Sequence, residues 1–230
     1  MKSVFSKLLQ ITLLVSLALT LMGASPAGLA VAVTGSGSSA SGEVATPSLD
    51  EFVSSVSGGS LDRLAGVYVE GILALPVVQQ PAGNAVFVSP NDGEVTQFSL
   101  ANQFGNTGIL AHNHLAGDAF FNINAGDEIV LVFGNGSRAV YRVREMQSYQ
   151  ALSPNSPYSK FIDLSDPAQT QISATDLFYR TFGDGKGNLV LQTCIWEGDE
   201  PSWGRLFVIA EPVPASQLVF APLQYRVQIS

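Results

Sequence analysis

The chain has 230 residues, enough for one sizeable domain that buries a core without help from a metal ion or a disulfide. Charged residues make up only 13% of it, which excludes coiled coils, charged disordered tails and long solvent-exposed helices. Eleven Lys and Arg against nineteen Asp and Glu leave a formal charge of −8. Nucleic acid is therefore excluded as a first hypothesis for a partner, because a phosphate backbone binds clustered cations.

Residues 1–33 have the composition of an export signal. Lys2 and Lys7 flank the start, residues 8–22 form an apolar run, and small residues follow in spacings that suit cleavage. The segment is either a signal peptide that is removed or, if it stays uncleaved, an N-terminal anchor that reaches across the membrane. In both cases we expect the rest of the chain to be extracytoplasmic, either secreted or membrane-anchored at the cell surface.

Residues 34–47 are mostly Gly, Ser, Thr and Ala, a composition that predicts a flexible linker. The remaining residues, 48–230, are predicted to form one folded domain. Its first element is a short helix, because Ser48 and Glu51 have the spacing of a capping box, and the pair Gly58 and Gly59 ends the helical pattern.

Strand-length apolar runs dominate the rest of the domain. They cover 67–75, 85–89, 128–133, 139–146, 188–194, 205–211 and 218–229. An Asn-Gly hairpin signal at 134–137 and a Gly-rich turn at 184–188 separate some of them, and Thr175 is a candidate cap for a further short helix over 176–182. The pattern predicts a mostly β fold of seven or eight strands, closed or nearly closed into a barrel that hides its sheet edges, with a few short helices.

Cys194 is the only cysteine, so it cannot form an intrachain disulfide in an oxidising environment. It is a buried small hydrophobic residue, an intermolecular crosslink or a reactive thiol. The two histidines, His112 and His114, precede a Gly-containing bend, where a histidine is either a hydrogen-bonded turn residue or a base. A thiol nucleophile needs an imidazole that takes its proton and later delivers one to the leaving amine, and the chain has no other imidazole.

Arg205 begins the apolar run that follows the one ended by Cys194. If these two strands pair as antiparallel neighbours, the thiol and the guanidinium meet at one rim of the barrel. The arginine would there donate hydrogen bonds to the oxyanion that forms when a thiolate attacks a carbonyl. The alternative is an ordinary surface cation paired with Asp199 or Glu211.

The segment 195–204 separates Cys194 from Arg205 and is predicted to form a loop that is long for a hairpin. It contains Trp196 and Trp203 among several acidic residues, a composition that suits a wall around a bound peptide. We therefore take the two tryptophans as candidate substrate-binding residues.

Several of these segments together resemble the sortase family. The stretch Leu189–Cys194 (LVLQTC) resembles the signature in which a strand of the form Leu-x-Leu-x-Thr-Cys ends at the nucleophile, and Arg205 before Leu-Phe-Val-Ile-Ala is similar to the arginine strand of that family. Further similar blocks are 75–77 (LPV), 110–113 (LAHN), 117–121 (GDAFF) and 125–129 (AGDEI). The resemblance spans about residues 67 to 213, and the blocks are specific jointly rather than singly.

The resemblance implies a sortase-like β-barrel cysteine transpeptidase that acts outside the membrane. Cys194 would be the nucleophile, His112 the general acid and base, and Arg205 the residue that binds substrate and stabilises the oxyanion. Thr193, at a motif position, would support the substrate or the thiol, or is a plain strand threonine. His114 is the alternative imidazole, because Ala111 stands where the family usually has glycine and because residues two apart in an extended segment face the same side.

The implied reaction is cleavage of a Thr-Gly bond in a Leu-Pro-x-Thr-Gly type of sorting motif of a surface protein, through a thioester. An amine of a cell-wall precursor or a pilin lysine would resolve the thioester. No cofactor or metal is expected. Two alternatives stay open: a cysteine hydrolase in which water is the acceptor, and a catalytically silent barrel that binds a surface partner.

Overall fold

The structure, a computed structural model, describes residues 46–217. The predicted export segment 1–33, nearly all of the predicted linker 34–47 and the last predicted strand run 218–229 lie outside these residues. Within the described part of the chain, no helix is both long and apolar enough to cross a membrane.

The described residues form ten strands, three α-helices and two 3-10 helices. The strands are β1 (Leu64–Val69), β2 (Leu73–Gln79), β3 (Val95–Phe98), β4 (Thr107–Leu110), β5 (Glu128–Phe133), β6 (Arg138–Ala151), β7 (Lys160–Asp163), β8 (Gln171–Ser173), β9 (Leu189–Glu197) and β10 (Glu200–Pro212). The α-helices are α1 (Leu49–Val56), α2 (Ser99–Asn102) and α3 (Ala174–Thr181), and the 3-10 helices cover Ala116–Asn122 and Ala215–Gln217.

Eight of the strands close into a barrel in the order β10-β9-β4-β3-β2-β1-β5-β6, because β6 also pairs with β10. The pairs β2–β3 and β4–β9 are parallel and the other barrel pairs are antiparallel. Strands β7 and β8 extend the sheet beyond β6. The predicted mostly β, closed barrel of seven or eight strands with a few short helices is confirmed.

Strand alternation divides the apolar side chains between two cores. On β9, Leu189 and Leu191 belong to the cluster that fills the barrel, whereas Val190 belongs to a second cluster on the outer surface. This outer cluster packs under α3, whose Leu177 and Phe178 are fully buried. The helix α3 therefore covers the middle of β9 and β10 on the outer face. Cys194 and Arg205 lie further along the same two strands.

The two predicted helices are present. Ser48 and Glu51 form the predicted capping box at the start of α1. The predicted cap Thr175 of the later helix is wrong, because the cap is Ser173. The Ser173 side chain accepts from the Asp176 backbone N–H while the Asp176 carboxylate binds the Ser173 backbone, so the hydrogen-bond pattern selects a residue two positions earlier.

The strand predictions are correct for the long runs and wrong for some short ones. The run 67–75 contains parts of two strands, because Gly71 takes a positive φ of 70° in the turn between β1 and β2. The run 85–89 is not a strand. The carbonyls of Ala85 and Phe87 accept from the side-chain amide of Gln80, whereas in a strand they would accept from the backbone N–H groups of a neighbouring strand. Four short strands escape the apolar pattern: β3, β4, β7 and β8.

Candidate active site

Cys194 and Arg205 lie directly opposite each other on the antiparallel pair β9–β10. Residues opposite each other in such a pair project their side chains to the same face, with Cα atoms about 4.5 to 5.5 Å apart. The predicted pairing of the two strands is therefore present. The predicted strand ends are wrong, because β9 continues to Glu197 and β10 already begins at Glu200.

A bulge replaces the long loop that the sequence predicts between the two strands. The hairpin turn contains only residues 198 and 199, but the register shifts between the pairs Glu197–Glu200 and Ile195–Gly204. Residues 201–203 consequently lie opposite the single residue Trp196. The composition of this segment is that of a loop, yet the backbone stays paired on both sides of the bulge.

The Arg205 side chain is held by backbone carbonyls and is only 1% exposed. Its Nη1 donates to the carbonyls of Ser202 and Gly204, each at 2.8 Å, and its Nη2 donates to the carbonyl of Pro154 at 3.4 Å. A buried guanidinium needs such partners to offset its lost hydration. The alternative of a solvated surface cation is wrong, since the charge lies inside the protein on the face that carries Cys194.

His112 follows the end of β4, the strand that pairs in parallel with β9. Leu110 lies opposite Gln192 of β9, and the Ala111 N–H still donates to the Gln192 carbonyl at 3.2 Å. His112 is the next residue, so it leaves the ladder beside the end of β9 that carries Cys194. Neighbouring strands are about 4.8 Å apart, and the alternation that places Leu110 on the outer face assigns His112 to that face as well.

The imidazole of His112 is half-buried, and its pKa is lowered. Burial is the main cause, the charge of neighbouring His114 adds to it, and a hydrogen bond with the Val88 backbone opposes both. The rings of His112 and His114 have centroids 5.4 Å apart, but His114 is exposed to solvent. The lowered pKa favours the neutral form of His112, which is the form that can accept a proton.

Cys194 is a free thiol, only 3% exposed, and it contacts a residue that the sequence does not single out. The Ser202 hydroxyl in the bulge donates toward the Cys194 sulfur at 3.9 Å. The same bulge is tied to the histidine turn, because Asn113 Nδ2 donates to the Pro201 carbonyl at 2.8 Å. Nothing in the sequence signals Ser202, since its position depends on the bulge, whereas Asn113 is recognisable only as the neighbour of His112.

Thr193 lies on the opposite face of β9 from Cys194 and has no exposed surface. Its hydroxyl finds no hydrogen-bond partner among the described residues, and a Cβ on Gly117 would collide with it. The same Cβ would lie 2.7 Å from the His112 carbonyl. Thr193 therefore packs against the turn that holds His112, and its support of a substrate or of the thiol stays a prediction.

The two candidate tryptophans differ in exposure. Trp196 is 55% exposed and its Nε1 donates to the Gly198 carbonyl at 2.7 Å. Trp203 is half-buried in the bulge, two residues from Arg205 on β10. Trp196 also lines a cleft of about 340 Å³, together with Asn113, Asp118, Phe121 and Ile195. Both tryptophans are close in sequence to Cys194 and Arg205, and of the two only Trp196 offers a large free surface.

Comparisons with known proteins give matches among solved structures. No family model matches the chain, and no curated protein matches it. The structure is similar to sortase C-1 from Streptococcus pneumoniae (15% identity, 68% of this chain and 69% of that chain, TM-score 0.43) and to sortase C-1 from Actinomyces oris (14% identity, 74% and 82%, TM-score 0.41). It is also similar to sortase C1 of the GBS pilus island 1 (14% identity, 68% and 68%, TM-score 0.42). A sortase-like barrel is the fold that the sequence motifs imply.

Proposed function

We propose that this chain is a cysteine transpeptidase of the sortase type that acts outside the membrane. The observation that supports it most directly is the cross-strand pair of Cys194 and Arg205, joined by His112 from the end of β4. A thiol, an imidazole and a guanidinium on one face can supply the nucleophile, the proton carrier and the oxyanion donor for acyl transfer from an amide. The lowered pKa of His112 supports a neutral base at physiological pH.

In the first half of the proposed reaction, His112 takes the proton of Cys194 and the sulfur attacks the carbonyl carbon of the scissile peptide bond. The Arg205 guanidinium donates to the oxyanion, in exchange for one of the carbonyls that it binds in this structure. His112 then gives the proton to the leaving nitrogen. The C–N bond breaks, the C-terminal fragment departs with a free amine, and a thioester remains on Cys194.

In the second half, a primary amine attacks the thioester carbon. The C–S bond breaks as the new amide bond forms, the amine proton passes through His112, and the thiol of Cys194 is restored. From the motif resemblance, the peptide is a sorting motif of the Leu-Pro-x-Thr-Gly kind in a surface protein. The amine comes from a cell-wall precursor or a pilin lysine. The chemistry uses no cofactor or metal, because protein groups supply each proton and the oxyanion donor.

The location follows from the first 33 residues, whose composition is that of a signal peptide or an uncleaved anchor. Such a segment would deliver the folded domain to the outer side of the membrane, where sorting motifs and wall precursors occur. Trp196 and Trp203 are proposed to contact the bound peptide, since aromatic side chains give a rigid apolar surface at low entropy cost.

The proposal is tested by supplying the full chain with a Leu-Pro-x-Thr-Gly peptide and weighing the products with and without a primary amine. We expect cleavage at the Thr-Gly bond and, with amine present, a new amide of matching mass. A product that ends in a free carboxylate even in excess amine would identify a hydrolase instead. Failure to cleave any member of a library of such motifs would contradict the proposed function.

Arg205→Lys gives a matched variant for the same assay. It keeps the positive charge but removes the fork of donors, so we expect the rate to fall by about 100-fold, the usual loss for one missing oxyanion donor. Circular dichroism verifies that the barrel is still folded. An unchanged rate in a folded Arg205→Lys variant would remove the arginine from the proposed site.

A further inference from the structure

The Ser202 hydroxyl contacts the sulfur of the proposed nucleophile. Ser202 has no exposed surface, and its backbone N–H, its carbonyl and its hydroxyl each contact a different residue. Its backbone N–H binds the Glu200 carboxylate at 3.0 Å, its carbonyl accepts from Arg205 at 2.8 Å, and its hydroxyl donates toward Cys194 at 3.9 Å. One buried residue therefore connects the guanidinium to the thiol.

The β-bulge makes this contact possible. In a regular strand, residues an odd number of positions apart project to opposite faces, so Ser202 would point away from the face that carries Arg205 and Cys194. The two extra residues between Glu200 and Gly204 break this alternation. Bulges occur beside active sites because they re-aim a side chain in this way.

We propose that Ser202 is a further residue of the active site, which holds the Cys194 sulfur beside Arg205 and donates a hydrogen bond to the thiolate. This proposal rests on the proposed function, because it matters only if Cys194 is a nucleophile. A neutral thiol is a weak acceptor, whereas a thiolate is a strong one, so the bond strengthens as negative charge forms on sulfur. The hydroxyl thereby favours the reactive form without adding a charge of its own.

The charged and titratable groups around this contact come from β10 and from the turn after β4. Arg205 lies across from Cys194 on β10, His112 lies at the end of β4 with His114 beside it, and Glu200 binds the Ser202 backbone. Of these, Arg205 carries a positive charge, Glu200 carries a negative one, and His112 is the group that would exchange a proton with the thiol. The Ser202 hydroxyl is uncharged, so its removal leaves these charges in place and can be tested separately.

The test is the rate of iodoacetamide alkylation of the full chain between pH 5 and pH 10, for the wild type, Ser202→Ala, Ser202→Thr and His112→Ala. Alkylation of the denatured chain gives the rate of the ordinary thiol. Thr181→Ala deletes another fully buried hydroxyl, which binds the Leu177 carbonyl in α3, and serves as the matched control. Circular dichroism verifies that each variant is folded.

We expect Ser202→Ala to slow alkylation at pH 7 by roughly three- to tenfold, the effect of one lost hydrogen bond of ordinary strength, with the rate at pH 10 unchanged. Ser202→Thr restores the pH 7 rate, and Thr181→Ala leaves it at the wild-type value. With a cleavable peptide, kcat falls in Ser202→Ala while KM stays the same, because the hydroxyl acts on the sulfur and not on the bound peptide.

The outcomes separate this inference from the function on which it rests. A wild-type thiol no faster than that of His112→Ala would overturn the proposed function, and this inference with it. A His112-dependent thiol whose pH 7 rate is unchanged in Ser202→Ala would overturn the role of Ser202 alone. If Ser202→Ala is slow at pH 7 and Ser202→Thr fails to restore the rate in a folded protein, the hydroxyl is not the cause and the inference is also overturned.

Discussion

The two ends of the parallel strand pair β4–β9 hold different kinds of buried polar groups. At the beginning of the pair, Asn106 donates to the Phe182 carbonyl and to Asp184, and it accepts from the Asn188 backbone. At the other end, the Cys194 sulfur has one long contact, with the Ser202 hydroxyl. The Thr193 hydroxyl at that end has no hydrogen-bond partner among the described residues. Saturated clusters stabilise a fold, whereas incompletely matched groups in a buried position are typical of sites that carry out chemistry.

The first prediction concerns Cys194→Ala, at the end of the strand pair that carries the thiol. We expect turnover to fall at least about a thousandfold, since no other side chain can form the thioester, while the free energy of unfolding changes by about 1 kcal/mol or less. Product analysis by mass spectrometry and denaturant titration measure the two quantities. Product formed by the folded variant would show that Cys194 is a buried small hydrophobic residue and not the nucleophile.

The second is Asn106→Ala at the opposite end of β9. The change leaves Asp184, the Phe182 carbonyl and the Asn188 N–H each short of a partner, so we expect the free energy of unfolding to fall by about 2 to 4 kcal/mol. Activity per folded molecule should stay the same. Asn102→Ala, an exposed asparagine at the end of α2, is the matched control and should change neither.

The pH dependence of stability sharpens the contrast between the two ends. In the folded protein the pKa of His112 lies below its ordinary value of 6.5. Above pH 6.5 the ring is neutral in the folded and the unfolded chain, so it does not change the free energy of unfolding. As the pH falls below 6.5 through the folded pKa, the unfolded chain binds the proton first and stability is lost. Asp184 behaves differently. Burial raises the pKa of Asp184, but the hydrogen bonds from Asn106 and Lys186 outweigh it and leave the pKa lowered. The ionised carboxylate therefore stabilises the fold at every pH above its ordinary pKa of 3.8. This stabilisation is lost only as the pH falls below that value through the folded pKa.

Denaturant titrations across pH 3 to 8 therefore separate the loss of stability caused by His112, which begins below pH 6.5, from the loss caused by Asp184, which begins below pH 3.8. His112→Gln should flatten the loss that begins near neutral pH and leave the acid loss unchanged. His114→Gln removes the neighbouring charge, so the pKa of His112 should rise, as measured by NMR titration of the ring protons. A His112 pKa that does not respond to this change would contradict the coupling between the two rings.

The smallest expected effect is that of Thr193→Val. The Thr193 hydroxyl is buried without a partner, so replacing it by a methyl group should cost less than about 1 kcal/mol or stabilise the fold slightly. Turnover should stay within about twofold of the wild type on the same grounds, because the side chain faces away from Cys194. A large loss of turnover in the stable variant would mean that the hydroxyl binds a group absent from this structure.

The sequence allows prediction of those features that depend on local pattern. The capping box of Ser48, the hairpin at 134–137 and the strands of β9 and β10 follow from spacing and alternation, and the pairing of Cys194 with Arg205 follows from them. Strands of three or four residues such as β4 carry too short an apolar pattern to be recognised.

The details of the site lie beyond such patterns. The bulge that brings Ser202 to the sulfur has no signal in a stretch of acidic and aromatic residues. The burial of Arg205 depends on carbonyls from two separate segments, including Pro154 far along the chain. The motif position of Thr193 likewise says nothing about direction, and only strand alternation counted from the core places its side chain on the face opposite Cys194.

Intact-mass analysis of the full chain after brief incubation with a Leu-Pro-x-Thr-Gly peptide in the absence of amine, followed by peptide mapping, tests whether Cys194 forms a thioester. We expect an acyl adduct on Cys194 that hydroxylamine releases and that His112→Ala and Cys194→Ala both fail to form. A Cys194 that stays unmodified with every peptide of a motif library, and that reacts no faster than a denatured thiol, would contradict this expectation.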